Sequence, residues 1–151
     1  MKNTKSQEFN NLISEALTML YRNDKYLIDH HANERAIVFR FGIYFQVLLN
    51  KYETYKDYNL DIEYNRNLDD PKRTPNHKNG IYPDLILHKR GNNNFNLLVI
   101  EFKCHWNNQG QEKDKSKIGE LMSPNGIYNY KEGYTILLEK EEPSINSYNR
   151  I

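Results

Sequence analysis

Pro83-Asp84-Leu85-Ile86-Leu87 and Leu97-Leu98-Val99-Ile100-Glu101-Phe102-Lys103 decide how this chain folds. Two apolar runs flank Gly91-Asn92-Asn93-Asn94, the pattern of a β-hairpin. An Asp, a Glu and a Lys stand on strands that are otherwise entirely hydrophobic. Charge in such a place is costly unless it is paired or holds a metal.

A turn centred on Asn92-Asn93 sets Asp84 directly opposite Glu101. Side chains alternate faces along a strand, so Asp84, Ile86, Leu97, Val99, Glu101 and Lys103 share one face. Leu85, Leu87, Leu98, Ile100 and Phe102 share the other. A slip by two residues keeps the three charges together, whereas a slip by one separates them. Two carboxylates that close repel, and one is driven to protonate unless a cation lies between them. Mg²⁺ suits that gap, because it takes one or two carboxylates and completes its shell with water and phosphate oxygens. The Phe102 carbonyl lies between the two side chains as a further oxygen donor. Lys103 points the same way, within reach of a water or a phosphate.

These residues resemble the PD-(D/E)XK nuclease superfamily, with its restriction-endonuclease-like fold. Pro83-Asp84 matches the first motif and Glu101-Phe102-Lys103 the second. The resemblance extends to His31-Ala32-Asn33-Glu34-Arg35-Ala36-Ile37, to Ile62-Glu63-Tyr64-Asn65-Arg66 and to Asp114-Lys115-Ser116-Lys117-Ile118, covering roughly residues 29 to 138. The pattern is similar to that of small prokaryotic members. It implies that Asp84 and Glu101 bind Mg²⁺ (with Mn²⁺ as a substitute), that Glu34 on a preceding helix completes the site, and that Lys103 positions or activates the attacking water. It implies phosphodiester hydrolysis, DNA as the substrate, and pairing of two copies to cut two strands, although no residue marks a dimer surface.

With 151 residues the chain is long enough for one domain with a substantial core. The single cysteine, Cys104, rules out a disulfide framework and a Cys-based zinc site. No apolar run approaches a membrane span and the N-terminus has no signal-peptide pattern, so a cytoplasmic location without a membrane partner is expected. The net charge of +1 lacks the basic excess of a dedicated DNA-binding domain. An enzyme that grips its substrate through a metal and a local patch needs no such excess. Two segments supply patches: Arg66, Lys72, Arg73, His77 and Lys78, then Lys113, Lys115 and Lys117. Each is equally readable as an ordinary solvated face.

Thr4 and Gln7 fit a capping box for a first helix to about Arg22. A second helix is expected from about Ala32 to Tyr52, apolar almost all round and therefore buried. Glu34 lies on its inward side, where it either holds a metal or caps its own helix N-terminus; the hairpin carboxylates favour the first. Asp61 to Tyr64 reads as a strand. The polar stretch from Asn65 to Gly80 is long for a connector, so it either borders the site, with Arg66 touching substrate, or is a plain linker. A helix from Gln111 to Met122 ends at Ser123-Pro124-Asn125-Gly126. Lys117 on it is either a site residue, as the resemblance implies, or a surface lysine. Tyr128 to Tyr130 and Tyr134 to Leu138 read as closing strands, with a loose tail beyond Glu139. The expected architecture is α/β, a central mixed sheet of four to five strands with helices on both faces.

Other signals are thin. His30-His31 near Glu34 lacks a His-Glu-x-x-His pattern, and His88 shares the Asp84 face either beside the site or merely at the strand end. Cys104, next along the strand from Lys103, should face away from Glu101. The rival function is a catalytically silent nuclease-fold module that binds nucleic acid or a protein partner. A plain salt-bridged core ranks last, because buried ion triads bring little net stability.

Overall fold

The fold is organised around one strand, β3 (Leu98–Cys104), in which every residue except Lys103 is buried. A computed structural model describes residues 4–107 and 109–148. The order is α1 (Thr4–Asn23), α2 (Lys25–Asp29), α3 (Glu34–Leu49), β1 (Asn59–Ile62), β2 (Leu85–His88), β3, α4 (Gln111–Met122), β4 (Glu132–Leu138) and β5 (Ser144–Tyr148). The five strands form an open mixed sheet in sequence order, antiparallel throughout except for the parallel β3–β4 pair that α4 connects. This is an α/β fold.

The β2–β3 register is the expected one: Leu85 faces Ile100, Ile86 faces Val99 and Leu87 faces Leu98. The two faces separate as the alternation requires. Leu85, Leu87, Leu98, Ile100 and Phe102 pack with α1 and α3, while Ile86 and Val99 pack beneath Ile118, Leu121 and Met122 of α4. Leu97 departs from its expected face and joins the first cluster, because it precedes the strand and is released from its alternation. On α1, Phe9, Leu12, Ile13, Ala16, Leu17 and Leu20 are buried at helical spacing, each large apolar side chain contributing roughly 1.5–3 kcal/mol. Gln7 turns forward to Asn11 Oδ1 (3.1 Å), and Thr4 is already helical, so the expected capping-box bond from Gln7 is not made there.

Five expectations need correction. The helix from Ala32 to Tyr52 is shorter, Glu34–Leu49. Asn33 stays extended and accepts the Arg35 N–H at 2.9 Å, which is the N-cap arrangement. Nor is that helix buried all round: Phe39 (56% exposed), Ile43 (37%) and Val47 (49%) form an outward stripe, because an all-apolar sequence does not say which side meets the sheet. The strand expected at Asp61 to Tyr64 lies two residues earlier, ended by Glu63 in a left-handed conformation (φ 52°). Tyr128 to Tyr130 is not a strand, Asn129 being left-handed (φ 52°), although both tyrosines are buried. The tail beyond Glu139 is not loose through Tyr148: residues 144 to 148 pair with β4 as the fifth strand.

The stretch from Asn65 to Gly80 is fastened rather than slack. Asn65 Nδ2 donates to the carbonyls of Lys72 (3.0 Å) and Ile81 (2.6 Å). The Tyr128 hydroxyl accepts from Arg73 N–H and donates to Arg73 O, both at 2.8 Å. On α4, Glu120 accepts from Thr74 Oγ1 (2.7 Å), Asn76 N–H (2.9 Å) and pairs with His77 Nδ1 (2.8 Å). Lys72 is 1% exposed; its ammonium donates to the Tyr130 hydroxyl at 3.1 Å and lies 5.0–5.6 Å from the ring centres of Tyr64, Tyr128 and Tyr130. Burial lowers its pKa to about 8, against a smaller opposing pull from Asp61.

On β4, Gly133 sets how deeply α4 sits. A Cβ there would stand 2.3 Å from Met122 Sδ and 2.8 Å from Ile118 Cγ2, so any larger residue at this position would force those α4 side chains to move.

Candidate functional site

The β2–β3 register that buries the hairpin brings Asp84 and Glu101 together at the end of β2. The Asp84 N–H donates to Glu101 Oε1 (3.2 Å), and the Phe102 N–H donates to Asp84 Oδ2 (2.8 Å). In an extended residue the carbonyl points to the same side as the N–H, so the Phe102 carbonyl faces this same gap. Burial raises the pKa of both carboxyls, most strongly Glu101, which Asp84 raises further; on Asp84 the Phe102 N–H, Lys117 and a hydrogen bond with Glu101 oppose the shift while Asp114 adds to it, and Lys117 opposes the shift of Glu101. A cation would relieve the desolvated, mutually repelling pair.

Two lysines border the pair. Lys117, from the second turn of α4, sets Nζ 2.9 Å from Glu101 Oε1 and donates to the Tyr82 carbonyl at 2.6 Å. It is mostly buried and is not a solvated surface lysine. Lys103 pairs with Asp114 Oδ2 at 3.2 Å, not with Asp84 or Glu101. Burial works against its ammonium, but Asp114, with Glu34 and Asp84, outweighs burial and holds the pKa above its ordinary value. Asp114 is the site residue that sequence reasoning passed over. Its position in the first turn of a helix reads locally as a dipole-compensating charge; only the packing of α4 against β3 reveals its partner.

Glu34 reaches the site from α3, on the opposite face of the sheet. Its carboxyl is raised by burial and then by Asp84, and it is hydrogen-bonded to the Cys104 thiol. Glu34, Arg35, Ile62, Glu63 and Asp84 line one small recess. Burial and Glu34 push the Cys104 thiol up to about 12, so it is no nucleophile, and it lies in the cluster away from Glu101 as expected. Among the described residues no group of three or more His, Cys, Asp or Glu is arranged to hold a metal ion by itself. Glu34, turned to Cys104, does not close a ready cage; what the site has is two hard carboxylates and a backbone carbonyl, a donor set that fits Mg²⁺ if water or phosphate supplies the rest.

A cleft of about 150 Å³ opens on this face, lined by Glu101, Lys103, Asp114 and Lys115 and, across the sheet, by Thr135 and Asn146. Arg66 is exposed in the fastened loop and has no ion-pair partner among the described residues. His88 is not part of the site: it is buried and paired with Asp61 at 2.8 Å, where Arg90 also binds. His30 and His31 bind no common centre; His30 bonds the Tyr26 carbonyl, while His31 stacks on Trp106. No helix among the described residues is long and apolar enough to cross a membrane. Compared with known proteins, the chain matches no family model, no curated protein and no solved structure.

Proposed function

We propose that this chain is a Mg²⁺-dependent nuclease of the restriction-endonuclease-like fold, hydrolysing phosphodiester bonds in DNA. One observation carries the reading: two desolvated carboxyls, Asp84 just before β2 and Glu101 on β3, are held together, Glu101 lining a cleft and Asp84 a smaller recess. Lys117 and the Phe102 N–H compensate the pair only in part, for both carboxyls stay above their ordinary pKa.

In this reading Asp84, Glu101 and the Phe102 carbonyl hold the metal, with Glu34 the further carboxylate in electrostatic reach. When bound, the ion supplies Lewis-acid activation of water and neutralises charge on the phosphate. Lys103, fixed by Asp114, orients the attacking water and offsets charge on the scissile phosphate. Lys117, which neutralises Glu101 in the free chain, is placed to turn to a substrate phosphate once another cation takes up that carboxylate. Arg66 contacts the backbone further along. The rival reading, a silent module that binds nucleic acid or a protein, draws on the same Lys117–Glu101 and Lys103–Asp114 pairs, which already partner one carboxylate and the key lysine.

Calorimetric titration with Mn²⁺ separates them. Because both carboxyl pKa values are raised, protons compete with the ion; affinity should rise as pH climbs through the raised values, with on the order of one proton released per ion. Asp84→Asn should abolish the binding. A wild-type chain that binds no Mn²⁺ at millimolar concentration, with or without DNA, would instead be the silent module.

A further inference from the structure

Tyr82 is the large aromatic next to the site that nothing in the fold uses. It is 56% exposed, yet it stands between two buried residues, Ile81 and Pro83, two positions before Asp84. Among the described residues its ring stacks on no other ring and its hydroxyl has no hydrogen-bond partner. Its backbone is nevertheless held, because Lys117 donates to the Tyr82 carbonyl while also pairing with Glu101. The ring lies over Gly80, where a Cβ would stand 3.5 Å from Tyr82 Cε2. Immediately upstream, the Ile81 carbonyl is clamped by Asn65 and its N–H donates to the Lys72 carbonyl (2.9 Å). An exposed aromatic on so rigid a mount gives up little conformational freedom on binding a flat partner.

Two residues of extended chain span roughly 7 Å, a reach on the scale of one nucleotide. The π-face that a base presents is available only where that base is unstacked from its neighbours, and stacking on an aromatic side chain tolerates any base. We infer that Tyr82 is a stacking platform for an unpaired nucleobase next to the bond that is cut, so that the substrate class is single-stranded or frayed nucleic acid rather than continuous duplex. The inference rests on the nuclease reading for its placement, but its test does not need turnover.

The experiment measures binding of a short single-stranded DNA carrying 2-aminopurine, and of the same sequence as a blunt duplex, in Ca²⁺. Wild type, Tyr82→Phe and Tyr82→Ala are compared, with a thermal melt confirming that each folds. Wild type should bind the single strand more tightly than the duplex and quench the 2-aminopurine. Tyr82→Phe should match it, and Tyr82→Ala should weaken single-strand binding roughly 5- to 100-fold and lose the quench. Equal binding of the single strand by wild type and Tyr82→Ala, preference for duplex, or no binding of either DNA overturns the platform. Cleavage in Mg²⁺ is scored separately. A platform that quenches in a protein that never cleaves leaves the stacking intact and removes the nuclease reading; cleavage indifferent to Tyr82→Ala does the reverse.

Discussion

Two groups of buried charge lie on the α4 side of the β2–β3 pair, and they are built on opposite terms. Around Lys72 a single ammonium is enclosed by three tyrosine rings and one hydroxyl, and every contact ties the stretch from Asn65 to Gly80 to the segments just after β1 and just before β4. Around Glu101 two carboxyls share a gap, with Lys117 on one side and Lys103 drawn off to Asp114, and a cleft opens beside them. The first cluster satisfies its charge by surrounding it with ring faces. The second leaves two carboxyls adjacent, with Glu101 at the wall of a cleft. A sealed, complementary buried charge belongs to stability; a crowded, accessible one is poised for binding.

The comparison breaks most sharply by exchanging the two losses. Asp84→Asn and Glu101→Gln should lower cleavage by at least about 100-fold while the melting temperature changes little, since each keeps its hydrogen-bonding shape and the relieved repulsion offsets the Lys117 pairing lost at Glu101. A large drop in melting temperature in both would make the pair structural, like Lys72. Lys72→Ala should do the opposite. It opens a cavity and frees the loop, costing about 3 kcal/mol, or roughly 6–12 °C of melting temperature, with Mn²⁺ binding unchanged at temperatures where the variant is folded.

A pH series sharpens the Lys72 side. Below pH 8 folded and unfolded chains both hold its proton, and the full cost of burying the charge is present. Between about 8 and the ordinary value of 10.5 only the unfolded chain holds it, so this lysine's contribution to stability rises with pH through that window. Denaturant unfolding at pH 7.5 and 9.5 should show wild type gaining about 2 kcal/mol relative to Lys72→Met; no relative gain would mean that the ring faces keep the ammonium charged. The smallest expected effect belongs to Arg66. Arg66→Ala should weaken DNA binding about threefold and lower the salt slope by about one, leaving both melting temperature and Mn²⁺ affinity alone.

What was legible in the sequence divides along the same line. The β2–β3 register followed from alternation plus an Asn-rich turn, and α4 from its Ser-Pro-Asn-Gly stop, because these signals are local. The Asp84–Glu101 pairing came with the register. Lys103's partner did not, because it depends on how α4 lies across β3, a tertiary fact with no trace in spacing. Lys72 sits in a Pro- and Asn-rich stretch whose composition reads as solvated, and the rings that enclose it come from positions 64, 128 and 130. The fifth strand, Ser144-Ile145-Asn146-Ser147-Tyr148, carries little apolar alternation; its pairing to β4, not its composition, makes it a strand. The outward stripe of α3 was hidden by a helix whose two sides are both apolar.

Gly133 has a consequence beyond packing. It lies nowhere near Asp84 in sequence, and it touches no substrate, yet the seating of α4 on β4 sets the clearance between the lysine and aspartate that the helix brings and their partners on β3. One added methyl would press on Met122 and Ile118, and a helix shifted to relieve that contact would move the Lys117–Glu101 and Lys103–Asp114 pairs together. The tolerance of the site is therefore machined into a residue with no side chain. Among variants that arise by chance, a fold left standing with a blunted site would trace to position 133 as readily as to any charged group.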